Sequence, residues 1–369
     1  MDEKDLKKLY RNSRLKTLPD RIRTRLLNLF FHCGADLGLH KNLGGNFKDY
    51  LMNENMPERI AVLRRGLDSI SLKELDLALE RMKYSPDWWD SCVKNTRTYV
   101  DPDYYLCEEE KEANKQFIRM LPEYKRKYPL PIFAHSMEVF ANHCGIALLS
   151  EKAKKYIEGK DFIDGGAYIG DSALIYLEHN PKKVWSFEIS EENSLYYKQT
   201  MRMNRVPAEK YELLKAGLAE KTQRCLFQEN SGLGANIYGA ITAEELNDNH
   251  SENSIQFYSI DDFVSEHGLN TGFIRLDVEG PELEIMKGSV NTIRSQRPVL
   301  CISIYHNPQE FFETKPFIES LNAGYKFMCR RLSSSMIFEM PFSHDNWWQR
   351  HALGFNETNL IAYPEELDD

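Results

Sequence analysis

The stretch Asp164-Gly165-Gly166-Ala167-Tyr168-Ile169-Gly170-Asp171 leaves this chain few choices of architecture. It follows a short apolar strand, Phe162-Ile163, and runs straight into a helical pattern, Ser172-Ala173-Leu174-Ile175-Tyr176-Leu177. An apolar strand, a glycine turn and a helix, in that order, present a nucleotide-like ligand to a helix N-terminus in doubly wound sheets. Gly166 and Gly170 are expected to leave room where a Cβ would collide with the ligand or with the adjoining helix. Asp164 at the strand end narrows the choice of ligand. A carboxylate there repels a pyrophosphate but suits a cationic ammonium or sulfonium, which favours S-adenosylmethionine over a dinucleotide.

Composition bounds the function from the other side. The 369 residues are 42% apolar and 28% charged, enough for a sizeable core and about two domains. A net charge of −9 disfavours a nucleic-acid partner, because phosphate binding needs a basic face. Lys125-Arg126-Lys127 is too short for a basic arm and reads as a solvated helix face. The opening Met1-Asp2-Glu3-Lys4-Asp5 lacks the regions of a signal peptide, and the apolar run Leu26 to Phe31 is far too short to span a bilayer. The seven cysteines are scattered and form no C-x-x-C pair. They read as reduced, mostly buried thiols of a cytoplasmic protein rather than a disulfide framework or zinc site.

Residues 1–130 read as a helical N-terminal domain with few strand signals. Ile60, Leu63, Leu67 and Ile70 recur at helical spacing, and Ser71-Leu72-Lys73-Glu74 reads as a capping box at a following helix start. The run from Glu108 to Tyr124 places Phe117, Ile118 and Leu121 on one face. Glycines make 33–46 loop-like, and Pro129-Leu130-Pro131 marks a boundary. Residues 131–369 form the second domain, where helix and strand alternate as in a parallel sheet covered on both faces. Strands are predicted at 161–164, 183–188, 212–216, 273–278, 299–304, 325–330 and 358–363, with an extra one at 255–260. The expected fold is α/β: a seven-stranded Rossmann-like sheet preceded by helices.

Three further strand ends carry chemistry. Glu188 ends the second strand, 24 residues after Asp164, where an acid accepts hydrogen bonds from both ribose hydroxyls of a nucleoside. Asp277 and Glu279, in Asp277-Val278-Glu279-Gly280-Pro281-Glu282, stand at the carboxyl end of the fourth strand, across the switch point from the first. They could orient the cofactor's ammonium, bind a divalent cation or accept a substrate proton; capping of the helix from Pro281 is the plainer role, above all for Glu282. Tyr305-His306 follows the fifth strand at the same edge, and an imidazole there suits general base work near neutral pH.

These blocks together resemble the FkbM family of S-adenosylmethionine-dependent methyltransferases: 162–171, Trp185-Ser186-Phe187-Glu188, Ile274 to Leu283, Ile302-Ser303-Ile304-Tyr305-His306 and the closing Glu357 to Tyr363. The resemblance covers about residues 132 to 364, and Asp277-Val278-Glu279-Gly280 is its most specific element. It implies a class I methyltransferase fold and, most often, methylation of a hydroxyl on a sugar, glycan or natural product. By the match, Asp164, Gly166 and Gly170 would hold the methionine part of the cofactor and Glu188 its ribose. Gly165, Ala167, Tyr168, Asp171, Ser172, Ile189 and Asp277 complete the candidate cofactor contacts. Asp277, Glu279 and His306 would border the methyl-transfer site; the same three are the candidate ligands should a divalent metal take part, which is not the favoured reading.

Two features depart from the pattern. Tyr168 fills a middle position that is small in wider methyltransferases. Residues 332–356, with Met336, Phe338, Trp347, Trp348 and His351, look like an insertion that serves as a lid, a sugar-stacking surface or a packing hairpin. Pro131 to Leu149, with His135, Phe140 and His143, folds over the cofactor pocket or packs beneath it. Competing readings are a nicotinamide-dependent oxidoreductase, against which Asp164 and the lack of a clean G-x-G-x-x-G argue, and a catalytically silent binding scaffold.

Overall fold

The structure is a computed structural model; it describes residues 50–51, 55–79, 108–132, 134–226, 254–332 and 357–368. The loop reading at 33–46 and the residues Met336, Phe338, Trp347, Trp348 and His351 lie outside the described residues.

Strands form where apolar, β-branched and aromatic runs lie between turns. They are β1 (Asp161–Gly165), β2 (Val184–Phe187), β3 (Tyr211–Leu214), β4 (Gly217–Leu218), β5 (Gln223–Leu226), β6 (Ser254–Tyr258), β7 (Thr271–Leu276), β8 (Val299–Ser303), β9 (Tyr325–Arg331) and β10 (Thr358–Pro364). The seven-stranded sheet runs β3-β2-β1-β7-β8-β10-β9, and β10 alone runs opposite to the other six strands. The extra strand expected at 255–260 belongs instead to a small second sheet, β4-β6-β5. The chain runs outward from β1 through β2 and β3, then returns to β7 on β1's other side. That reversal places a crevice at the carboxyl ends of β1 and β7, paired up to Gly165 and Leu276.

Both sheet faces are buried. Ile163, Ile274, Leu300 and Ile302 point into one core, with helices Ile260–His267 and Pro308–Ser320. Phe162, Phe273, Val299 and Cys301 point into the other, with helices Glu151–Ile157, Asp171–Tyr176 and Glu191–Met203. The alternation follows the two-residue period of a strand. Each such side chain contributes about 1.5–3 kcal/mol by burial, so the strand ends are held by the core and not by the loops.

Helix Met56–Arg64 and helical residues 69–79 lie on the first core, through Met56, Leu63, Leu75 and Leu79. The apolar spacing from Ile60 to Ile70 does not mark one helix: Gly66 turns at φ +70°, and Ile70 is exposed. Nor does Ser71 open the second helix. Asp68 caps it, accepting Ser71 N–H at 2.8 Å and Ser71 Oγ at 2.7 Å, while Glu74 accepts Arg331 N–H from β9. Aspartate is the stronger cap here because its carboxylate takes both donors. On helix Glu108–Lys127, Phe117 and Leu121 are buried but Ile118 is exposed, so the apolar face is narrower than expected. Among the described residues, no helix is long and apolar enough to cross a membrane.

Candidate active site

The turn after β1 is built from inside. Asp164 is fully buried and accepts Ser172 Oγ at 2.8 Å and Tyr176 Oη at 3.4 Å, which locks the strand end to the helix that follows. Burial raises its pKa, partly offset by Arg275. Gly166 has φ +81°, and a Cβ there would stand 1.9 Å from the Asp277 carbonyl oxygen. Gly170 has φ +82°, and its Cβ would meet Tyr197 of the neighbouring helix at 2.8 Å. Both glycines therefore make room for protein: Gly166 for the end of β7, Gly170 for the adjoining helix. Asp171, the first residue of its helix, is buried, and that burial pushes its carboxyl up to about 7. Phe187 O accepts the N–H groups of Gly166 and Ala167, each at 3.1 Å, so the turn is tied to β2 as well.

Glu188, just past β2, is nearly buried and accepts Ser190 N–H at 2.7 Å. Its burial raises the pKa, against hydrogen bonds from Ser190, Asn193, Tyr168 and Ile189. The hydroxyl of Ser190 caps helix Glu191–Met203 through Asn193 N–H. Gly166, Tyr168, Ile189, Asp277 and Tyr305 are half-buried, forming a partly open rim around the buried strand ends.

Asp277 lies one residue beyond β7, its N–H held by Gly165 O at 3.0 Å. Its carboxylate accepts Arg275 Nη2 and Tyr305 Oη, the latter at 3.1 Å. Burial would raise its pKa, but the Arg275 guanidinium, then His306, hold it below the usual range. Arg275 also reaches Glu138 at 3.2 Å and Gly166 O at 3.3 Å, so one buried cation joins the turn, β7 and helix Met137–Phe140. Its strand position is opposite Asp164.

His306 is buried, its ring tilted at 42° against Tyr305 with ring centroids 4.1 Å apart. Its Nε2 stands 3.5 Å from both Asp277 Oδ1 and Glu279 Oε2, and its Nδ1 is 3.0 Å from Glu282 Oε1 and 3.9 Å from Glu310 Oε2. Burial alone would lower its pKa; Glu282 first, then Asp277 and Glu279, outweigh that and raise it to about 9. Glu279 itself has a mostly exposed side chain and a left-handed backbone at φ +67°. Glu310 is the reverse case: burial and the Glu282 carboxylate push it up to about 10, so it is a neutral acid at pH 7.

The structure thus brings Asp277, Glu279 and His306 together beside Gly165 and Gly166, with Glu188 reached through the shared turn. Sequence reasoning gave no role of their own to Arg275, Glu138, Tyr305 and Glu310, and weighed capping as the plainer reading of Glu282. An arginine inside an otherwise apolar buried strand was the available signal, since it demands buried acids nearby. Asp277, Glu282 and His306 place ligand atoms within 4.8 Å of one another, a different trio from the one expected. Glu282 is already engaged by Val278 N–H and Gly280 N–H, and Asp277 by Arg275.

Residues 164–329 match the family described as Methyltransferase FkbM domain. Among solved structures, the chain resembles Methyltransferase FkbM from Methylobacillus flagellatus KT, at 18% identity and a TM-score of 0.51, over 86% of this chain and 61% of that one. This chain therefore spans about three-fifths of that protein's length, and at this identity the likeness speaks for the fold alone. An rRNA methylase from Streptococcus thermophilus aligns at 11% identity and a TM-score of 0.29, over 58% of this chain and 92% of that one. A protein of the methyltransferase class from Streptococcus mutans, solved in complex with SAH, aligns at 10% identity and a TM-score of 0.33, over 61% and 95%. Scores that low carry no argument about ligand or substrate. No curated protein matches the sequence significantly.

Proposed function

Since this chain carries a methyltransferase FkbM domain over residues 164–329, we propose that it transfers a methyl group from S-adenosylmethionine to a hydroxyl of a sugar or other small natural product. The observation that carries this reading is the convergence of Asp277 and His306 Nε2 at the switch-point crevice. Both ring nitrogens of His306 are buried without a well-aligned hydrogen-bond partner among the described residues; Nδ1 has Glu282 Oε1 at 3.0 Å, whereas Nε2 has only Asp277 and Glu279 at 3.5 Å and is the polar atom more in want of a partner. A substrate hydroxyl satisfies it.

The cofactor fits the same crevice on charge. The half-buried rim at Gly166, Tyr168 and Ile189 offers a surface against the turn, and Glu188 is an acceptor for ribose hydroxyls. Asp277, kept anionic by Arg275, favours a cationic ligand nearby. Asp164 acts from beneath, fixing the turn through Ser172 and Tyr176. When bound, the cofactor supplies an electrophilic methyl on a sulfonium sulfur. The chain's own tasks are to align the acceptor, exclude water and take a proton from the hydroxyl.

His306 is the group we assign to that proton. With a pKa raised to about 9, only about one enzyme in a hundred holds it neutral at pH 7, so the rate carries that fraction. Glu279, exposed and 3.5 Å from Nε2, is the second acceptor. Asp277, held low, is a poor base and serves to orient.

Calorimetry tests the cofactor. S-adenosylhomocysteine should bind and NAD should not; the reverse would sink the reading in favour of an oxidoreductase. Transfer of a labelled methyl group to a panel of sugars and hydroxylated natural products then identifies the acceptor. Cofactor binding with no transfer to any hydroxyl would point to another acceptor or to a silent scaffold.

A further inference from the structure

Methyl transfer gives His306 a task, but it does not explain the carboxylate behind the ring. Glu282 is completely buried. Its Oε1 accepts Val278 N–H at 2.8 Å and lies 3.0 Å from His306 Nδ1, and its Oε2 accepts Gly280 N–H at 3.0 Å. A helix start needs no such burial. An ionised carboxylate taken fully out of water costs several kcal/mol unless a cation and good hydrogen bonds repay it. His306 is the cationic partner in contact with it.

The surroundings are built to hold this pair still. Asn307 donates to Gly280 O at 2.9 Å and accepts Glu310 N–H at 3.0 Å, which joins the loop after β7 to helix Pro308–Ser320. Glu310 in turn accepts Glu282 N–H at 3.2 Å. The titratable groups facing the ring are Asp277 and Glu279 from the loop, Glu282 from helix Glu282–Lys287, Glu310 from helix Pro308–Ser320, and Tyr305 alongside.

We propose that Glu282 is a positioning residue, which holds the Nδ1 side of His306 so that Nε2 is directed between Asp277 and Glu279, toward the rim where an acceptor arrives. Glu310 and Asn307 brace it. A neutral imidazole carries its proton on one nitrogen only, and a fixed acceptor at Nδ1 keeps it there. The lone pair is then on Nε2, the nitrogen that stands between Asp277 and Glu279. The purpose of that lone pair rests on the methyl-transfer reading; the arrangement of ring and carboxylate does not.

Long-range nitrogen–proton NMR on the full chain, with labelled histidine, reads the tautomer of each imidazole. The His306 signal is assigned by its loss in His306→Gln, and spectra are taken at pH 10, above the value of about 9 at which the ring loses its charge. The wild type should show the Nδ1–H tautomer. Glu282→Gln keeps a carbonyl acceptor at the same place and should keep that tautomer. Glu282→Leu, if folded by circular dichroism, should shift to the Nε2–H form that free imidazole prefers. An Nε2–H signal in the wild type overturns the proposal whether or not either variant folds; so does an unchanged Nδ1–H form in a folded Glu282→Leu. Calorimetry with S-adenosylhomocysteine on the same wild-type sample separates the two ideas. Failure to bind there would remove the methyl-transfer reading and leave the tautomer result standing.

Discussion

Arg275 in β7 grips the carboxylate of Asp277, one residue past the strand's end, and the same Nη2 reaches Glu138 at 3.2 Å. All three groups are buried or nearly so. Removing the cation strands two acids in the core. Arg275→Met should therefore cost on the order of 3–5 kcal/mol of unfolding free energy, the range for one broken partner of a buried pair. Urea denaturation measures it. A loss below about 1 kcal/mol would mean the three groups are better hydrated than their burial implies.

Gly166→Ala tests the turn from the other side. A Cβ would sit 1.9 Å from Asp277 O on a backbone with φ +81°, and neither the clash nor the conformation relaxes without moving the end of β7. The variant should lose several kcal/mol or fail to fold. Gly159→Ala shares a positive φ, +69°, but meets no atom within 4 Å, so it should cost about 1 kcal/mol. Comparable losses in the two would show that conformation alone, and not the close approach of β7, makes Gly166 necessary.

Much of this was readable in the sequence because the constraints were local. The order strand, glycine turn, helix fixed the crevice, and apolar runs marked all seven strands of the main sheet. The acids at strand ends were visible because a strand's end is a short-range fact. What stayed hidden depends on partners far along the chain. Arg275 is explained by Glu138, and Glu282 by His306 and Glu310, across separations that no periodicity encodes. The break at Gly66 was missed because the apolar spacing from Ile60 to Ile70 happens to continue across it. The glycines were seen, but the body each one makes room for was left open between ligand and protein.

Glu188→Ala carries the cofactor assignment. Losing ribose hydrogen bonds to a carboxylate, each worth about 1.5–3 kcal/mol, should weaken S-adenosylhomocysteine at least tenfold by calorimetry. Glu188 also accepts Ser190 N–H, so circular dichroism must first show that the fold is kept. Unchanged affinity in the folded variant would take the ribose away from Glu188.

The pH dependence decides what His306 does. Its pKa is raised from 6.5 to about 9 in the folded protein, so the stability it contributes is fully present below about 6.5 and lost as pH rises through 9. Glu310, raised from 4.5 to about 10, loses stability in the same direction over a wider window, so wild type must be compared with His306→Gln at each pH. The difference in urea midpoints between the two should shrink from pH 6 to pH 9.5. Activity runs the opposite way. If neutral His306 takes the acceptor's proton, kcat/KM should rise about tenfold per pH unit from 7 and level off near 9. His306→Gln should be slower by about 10²- to 10⁴-fold without that limb, while its affinity for S-adenosylhomocysteine stays nearly unchanged. A flat profile in the wild type, with a Gln variant of near-normal rate, would leave His306 a buried counter-ion and hand the proton to Glu279.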